Sequence, residues 1–165
     1  MSDGFVIEPL AAHDRDAFSS GSPALDSYFR ERVGQDAKRL MASCFVAVEK
    51  RTGRVAGYYT FSAYGVPADE LQNDIIRKLP RYPAVPAALI GRLAVDAAYQ
   101  RRGVAGAMIT DAAVRVIRGD LKAFAILVDA KDEVAAEFYQ RRGFLRLARR
   151  PLTLFIPVAS FKGYV

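Results

Sequence analysis

The sequence has only one cysteine and one histidine among its 165 residues. A lone Cys44 excludes an internal disulfide, and its apolar neighbours indicate a buried strand rather than a nucleophile. With His13 as the one histidine, in a polar loop, we expect an exposed side chain, no metal site and no Cys–His pair. No apolar run is long enough to span a membrane, and the N-terminus lacks a signal-peptide profile. We therefore expect a cytoplasmic protein that does not contact membranes.

Acidic residues are missing from the C-terminal part of the chain. No Asp or Glu follows Glu137, although six Lys and Arg residues do, and the net charge of the whole chain is +6. A basic surface attracts polyanions such as RNA or the phosphates of a cofactor. The alternative is a solvated surface that only keeps the protein in solution. The charge pattern leaves both interpretations open.

Length and apolar content fit one domain over residues 1–165. Ser22 and Pro23 are typical of a helix start, and apolar residues then recur at four-residue spacing to about Gln35. Alternating and continuous apolar runs, separated by turn residues, predict the remaining elements. The predicted strands are 5–8, 43–49, 54–63, 87–95, 123–128, 144–147 and 152–157; the predicted helices are 23–35, 68–78, 104–118 and 132–143, with an extended connection at 81–86. The order is that of a mixed α/β fold.

The junction between the strand that ends at Val95 and the helix that follows is the most informative segment. Residues 99–106 read Tyr-Gln-Arg-Arg-Gly-Val-Ala-Gly. A glycine-containing turn that leads into a helix directs backbone N–H groups at one point, and the helix dipole adds positive charge there. This segment therefore predicts a phosphate site, while an ordinary strand-to-helix turn with two solvated arginines is the alternative.

A second motif closes the predicted helix that Asp132 caps. Residues 138–144 read Phe-Tyr-Gln-Arg-Arg-Gly-Phe. Together with Gln100-x-x-Gly103-x-Ala105, this motif resembles the GNAT family of N-acetyltransferases over roughly residues 88–147. Further blocks at 18–29, 57–61, 79–86 and 91–96 resemble the GNAT toxins of bacterial toxin–antitoxin modules, although Ser20 stands where we expect many relatives to carry cysteine.

The resemblance implies an acetyl-CoA-dependent fold with helices on both faces of a mixed sheet. It assigns pantetheine contacts to the main chain of Leu93, Ala94 and Val95, and diphosphate contacts to Arg101, Arg102, Gly103, Val104, Ala105 and Gly106. Tyr139 is the implied general acid for the departing thiolate, because a phenol is protonated at neutral pH. The alternative for Tyr139 is a ring packed in the core with a structural hydroxyl. Tyr58, Tyr59 and Tyr64 are candidates for a general base, but aromatic packing is at least as good an explanation for the presence of each.

The resemblance also implies an acceptor and partners. Such toxins acetylate the α-amino group of aminoacyl-tRNA, are inhibited by a ribbon–helix–helix antitoxin and often form homodimers. We expect RNA contacts from Arg92, Arg141, Arg142, Arg149 and Arg150. Two alternatives stay open: an N-acetyltransferase for a small amine, an antibiotic or a protein N-terminus, and a non-catalytic module that binds CoA or RNA.

Overall fold

The computed structural model describes residues 4–79 and 82–165. The strands are β1 (Phe5–Pro9), β2 (Ser43–Glu49), β3 (Val55–Pro67), β4 (Ala84–Val95), β5 (Ala125–Asp129), β6 (Leu145–Arg146) and β7 (Thr153–Pro157), and the helices are α1 (Pro23–Glu31), α2 (Val33–Lys38), α3 (Asn73–Ile76), α4 (Val104–Arg118) and α5 (Glu133–Gln140). Pro80 and Arg81, where the predicted connection begins, lie outside the described residues. Within these ranges we find no helix with the length and hydropathy that a membrane crossing requires.

The strands form a seven-stranded sheet in the order β1-β2-β3-β4-β5-β7-β6. Strands β4 and β5 are parallel, whereas the β1–β2, β2–β3, β5–β7 and β6–β7 pairs are antiparallel. The mixed sheet confirms the predicted fold class. The β2–β3 and β6–β7 pairs join strands that follow each other in the chain and are therefore hairpins.

The chain divides into two compact units, and β3, β4 and α4 contribute residues to both. The first unit comprises Met1–Ser62 and Gly91–Ala112. Its core is aromatic: the rings of Phe29 and Tyr58 are stacked with centroids 4.3 Å apart, and both side chains are fully buried. The Tyr58 hydroxyl donates to the Leu25 carbonyl at 2.7 Å, which satisfies the one polar atom of that ring system.

The second unit comprises Ala63–Ile90 and Ala113–Val165. Its core contains the buried side chains of Leu127, Leu147 and Phe155. Strand β5 is buried along four of its five residues, as expected for an apolar run covered on both faces.

The first predicted helix is two helices. The Ser22 hydroxyl accepts from the Leu25 N–H, and Pro23 occupies the first turn, so the predicted start is confirmed. At Arg32, however, the backbone leaves the helical region (φ −120°), and α2 begins at the next residue. Apolar spacing could not reveal this break, because Phe29 and Val33 on either side of it are both buried at four-residue spacing.

The helix predicted at 68–78 is wrong for most of its length. The structure has a 3₁₀ turn at Ala68–Glu70 and then the four-residue α3. Leu71 between them is extended (ψ 156°) and is packed in the apolar core of the second unit. Burial of Leu71 has therefore overridden the local helix preference.

Candidate active site

The connection from β4 to α4 forms an open turn at a helix N-terminus. Arg101 and Gly103 both have left-handed backbones, with φ of 64° and 82°. The first hydrogen bond of α4 runs from the Ala107 N–H to the Gly103 carbonyl at 3.1 Å. The N–H groups of Val104 and the next two residues, Ala105 and Gly106, therefore precede the first intrahelical donor and have no acceptor within the helix. Three aligned amides and the helix dipole can hold an anionic phosphate there.

Two side chains fix this turn in place. The Gln100 amide donates to the Val95 carbonyl at 3.1 Å and to the Ser20 carbonyl at 3.0 Å. The buried Asp96 carboxylate accepts from the Ser19 N–H at 3.0 Å and from the Ala98 N–H at 2.9 Å. Sequence reasoning assigned no role to Asp96; its place directly after an apolar strand, where Asp caps a turn, was the signal available.

We expect Gln100→Glu to loosen the turn. The substitution keeps the size of the side chain but removes both N–H donors and places a carboxylate against two carbonyl oxygens. The free energy of unfolding should fall by about 1 kcal/mol, and acetyl-CoA should bind more weakly, as measured by denaturant titration and calorimetry. Gln35→Glu, at an exposed position of α2 in the same unit, is the matched control. Equal behaviour of the two variants would contradict the assigned role of Gln100.

Some backbone hydrogen-bonding groups at the end of β4 already have partners within the chain. The paired register with β5 ends at Ile90, five residues before β4 ends. The Val95 carbonyl already accepts from Gln100, and the Asp96 N–H donates to the Ala56 carbonyl at 2.8 Å. The side chain of Ala94 is buried, and those of Leu93 and Val95 are half-buried.

Tyr139 lies on α5 in the second unit, with its ring buried and 7% of the residue exposed. The ring packs edge-on against Phe138 and Phe144, with centroids 5.3 and 5.4 Å away. Burial raises the pKa of the phenol to about 12, an effect that the charge of Arg142 opposes. The hydroxyl has no hydrogen-bond partner in the described part of the chain, and no fully buried side-chain oxygen there is unpaired, so this oxygen reaches the surface.

The ends of α5 explain how Tyr139 is positioned. The Asp132 carboxylate accepts from the Ala135 N–H at 2.9 Å and caps the start of the helix, as the sequence predicts. Beyond the helix, Gly143 has a left-handed backbone (φ 94°) that turns the chain into Phe144. The helix is also tied to the following strands, because Arg146 pairs with Glu133 and holds the pKa of that carboxyl below its usual value.

The arginines predicted to contact RNA have contacts within the chain. Arg92 lies over the Tyr28 ring at 3.6 Å, and Arg142 lies over the Phe138 ring at 3.7 Å. The other three face carboxylates: Arg141 is 4.0 Å from Glu137, Arg149 is 3.2 Å from Asp69, and Arg150 forms two hydrogen bonds with Glu70. Both Arg149 and Asp69 are mostly exposed, so their pair is weak.

Side chains considered for other roles are mostly structural. Cys44 is buried as predicted, and burial raises the pKa of its thiol to about 12. The prediction of an exposed His13 is wrong, because its side chain is 13% exposed and lies between the Ala11 N–H at 3.0 Å and the Glu8 carboxylate at 3.2 Å.

The tyrosines of β3 contribute to packing. Tyr59 is fully buried, and its hydroxyl donates to Asp111 at 2.6 Å. Burial also raises the pKa of Tyr58, so this phenol keeps its proton at neutral pH and is not suited to act as a base. The Tyr64 hydroxyl accepts from Arg150 at 3.0 Å.

The turn that leads from β4 of a mixed sheet into the N-terminus of α4 is the arrangement that the sequence motif predicts for an acyl-CoA-dependent transferase. The sequence profile of the Acetyltransferase (GNAT) family matches residues 8–144. The chain belongs to this family and is an acetyl-CoA-dependent N-acetyltransferase, which confirms the resemblance found in the sequence.

Individual relatives extend the similarity over nearly the whole chain. A protein of Mycobacterium tuberculosis named tRNA-acetylating toxin is 34% identical over 93% of this chain and 92% of its own. A mutant of KacT superimposes with a TM-score of 0.89, 25% identity and coverage of 98% of this chain and 99% of that one. AtaT complexed with acetyl-methionyl-tRNAfMet gives a TM-score of 0.87 at 24% identity, with 97% and 98% covered.

Proposed function

We propose that this enzyme transfers the acetyl group of acetyl-CoA to the α-amino group of aminoacyl-tRNA and thereby blocks translation. The use of acetyl-CoA as acetyl donor is supported by the turn at the start of α4, since this turn presents three backbone amides without intrahelical acceptors. The acceptor half is supported by the similarity to a tRNA-acetylating toxin over almost the full length of both chains.

The residues of the turn fit a diphosphate. A Cβ atom added at Gly103 would meet nothing within 4 Å, so the space beside its backbone is open to a ligand. In the proposal, the amides of Gly103, Val104, Ala105 and Gly106, together with Arg101 and Arg102, bind the diphosphate. The main chain of Leu93, Ala94 and Val95 binds the pantetheine arm, and the N–H of Ala94 or Val95 polarises the thioester carbonyl.

Tyr139 is the proposed general acid. The amine nitrogen attacks the thioester carbonyl carbon, the C–S bond breaks, and the Tyr139 hydroxyl gives its proton to the leaving thiolate and regains one from solvent. The surface position of this hydroxyl, without a partner in the described part of the chain, favours this role over that of a structural donor. An α-amino group has a pKa of about 8, so about a tenth of it is already neutral at pH 7 without a base.

The pH dependence should reflect the amine and not the acid. We expect kcat/KM to rise about tenfold per pH unit below about pH 8, where the acceptor amine loses its proton. Above that the profile should stay level to about pH 9.5, because the pKa of Tyr139 is raised to about 12 and the phenol keeps its proton. Initial rates over this range test the assignment, and a decline before pH 9 that Tyr139→Phe abolishes would contradict it.

RNA binding is assigned in the proposal to Arg92, Arg141, Arg142, Arg149 and Arg150. The ion pairs of Arg149 and Arg150 mean that RNA phosphates would have to replace or join carboxylates there. We also propose a homodimer, a ribbon–helix–helix antitoxin as partner and a place in the cytoplasm with the tRNA pool. Related structures include a mutant of the toxin AtaT bound to the C-terminus of the antitoxin AtaR.

Cell-free translation tests the proposal against its alternatives. Purified protein should stop synthesis only when acetyl-CoA is present. A transferase for small amines or protein N-termini would release CoA thiol with those acceptors and leave translation intact. A non-catalytic module would bind acetyl-CoA or RNA without releasing thiol.

A further inference from the structure

Two arginines of the first unit flank the ring of Tyr99, in the connection between β4 and α4. The guanidinium carbon of Arg54 lies 5.5 Å from the ring centroid, and that of Arg102 lies 5.3 Å from it. Arg102 is also 5.3 Å from the ring of Phe5. Contacts with aromatic faces orient a guanidinium while its N–H edge stays available for an anion.

The carboxylate nearest to this cluster is Glu49 at the end of β2. The Tyr99 hydroxyl donates to it at 2.9 Å, and the Thr52 hydroxyl does so at 2.7 Å. These two hydrogen bonds, joined by the charges of Arg51 and Arg102, lower the pKa of Glu49. Arg51 directly precedes Thr52, whose hydroxyl contacts Glu49, so Arg51 lies in the β2–β3 turn close to this carboxylate.

Positive charge exceeds negative charge around Tyr99. The other carboxylate of the cluster, Asp96, is buried and lies 3.6 Å from Arg54. Across residues 4–79 and 82–165, no carboxylate comes within ion-pair distance of Arg51 or Arg102. All three arginines are exposed, so the cluster can receive an anion from solvent.

We propose that Arg51, Arg54 and Arg102 form a subsite for the 3′-phosphate of the CoA donor. The inference rests on the proposed function, because it needs the diphosphate at the first turn of α4. Arg102 directly precedes Gly103, so the cluster begins where the diphosphate site ends. A phosphate monoester carries close to two negative charges at neutral pH, and a set of three guanidiniums fits this dianion better than the single charge of an RNA phosphodiester. Arg102 thereby lies between the two phosphate groups, whereas Arg51 and Arg54 belong only to the 3′-phosphate subsite.

Acetyl-dephospho-CoA, which lacks only the 3′-phosphate, tests this assignment. The dissociation constants of acetyl-CoA and acetyl-dephospho-CoA are measured by calorimetry on the full chain. The unmodified protein should bind acetyl-CoA about tenfold more tightly than the dephospho compound, since charge-assisted hydrogen bonds to the phosphate are lost. The double variant Arg51→Gln/Arg54→Gln leaves the diphosphate residues unchanged and should bind the two compounds with dissociation constants within about twofold of each other, while its affinity for acetyl-dephospho-CoA stays within about twofold of the unmodified protein.

The control is Arg39→Gln, at an exposed position after α2 in the same unit, which should keep the tenfold preference. Equal binding of the two donors by the unmodified protein would overturn the subsite while leaving the proposed function intact. So would a double variant that keeps the preference and loses only affinity for tRNA, because the arginines would then bind RNA. Failure of the unmodified protein to bind either donor would overturn the proposed function together with the subsite.

Discussion

Tyr139→Phe is expected to lower kcat for acetyl transfer by about 100-fold or more, the usual contribution of a positioned general acid. The variant removes one oxygen, which has no hydrogen-bond partner in the described part of the chain, and keeps the ring that packs against Phe138 and Phe144. Acetyl-CoA affinity and the free energy of unfolding should therefore change little. Single-turnover transfer to aminoacyl-tRNA, calorimetry and denaturant titration measure the three quantities separately.

The matched control is Tyr164→Phe, in the same unit, where the tyrosine is 67% exposed. This variant loses the same atom and should keep full activity. Normal kcat in Tyr139→Phe would return Tyr139 to a packing role. A large loss of stability in Tyr139→Phe would show instead that the Tyr139 hydroxyl has a structural partner.

Gly103→Val should weaken acetyl-CoA binding by about tenfold or more. A β-branched residue is strained at φ 82°, at a cost of about 1–3 kcal/mol, so the turn will move to relieve it. The space around Gly103 holds no other protein atom within 4 Å of a Cβ, so the effect does not come from a clash inside the protein. Calorimetric titration with acetyl-CoA measures the change in affinity.

Gly21→Val controls for the backbone strain itself. Gly21 has φ 93° and equally open surroundings in the same unit, but it lies in the loop before α1. Its substitution should cost similar stability but lower acetyl-CoA affinity much less than Gly103→Val does, because Gly21 touches the turn only through the preceding Ser20 carbonyl that Gln100 contacts. Similar losses of affinity in the two variants would mean that strain anywhere in the unit, and not the amides of the turn, controls donor binding.

The parts of the site predicted from the sequence are those with local signals. The turn before α4 and the cap of α5 depend on glycine, aspartate and apolar spacing within a few residues, and the structure has them where the sequence places them. The family resemblance was recognisable for the same reason, because its motifs are short and contiguous.

The features that the sequence did not reveal depend on partners far apart in the chain. Arg150 meets Glu70 across 80 residues, and Gln100 meets Ser20 across another 80. No local pattern of charge or hydropathy specifies such pairs. Leu71 is a further case, because it packs in the core of the second unit. Its burial leaves a short 3₁₀ turn and an extended residue in place of the first part of the helix predicted at 68–78.

The most direct test is to incubate the purified protein with isotope-labelled acetyl-CoA and charged tRNA, and then to release the amino acid by mild base for mass spectrometry. The proposal predicts label on the α-amino nitrogen of the released amino acid, and none when uncharged tRNA replaces charged tRNA. Label on the nucleotides of the RNA, or no label on the amino acid although the protein binds acetyl-CoA, would contradict it.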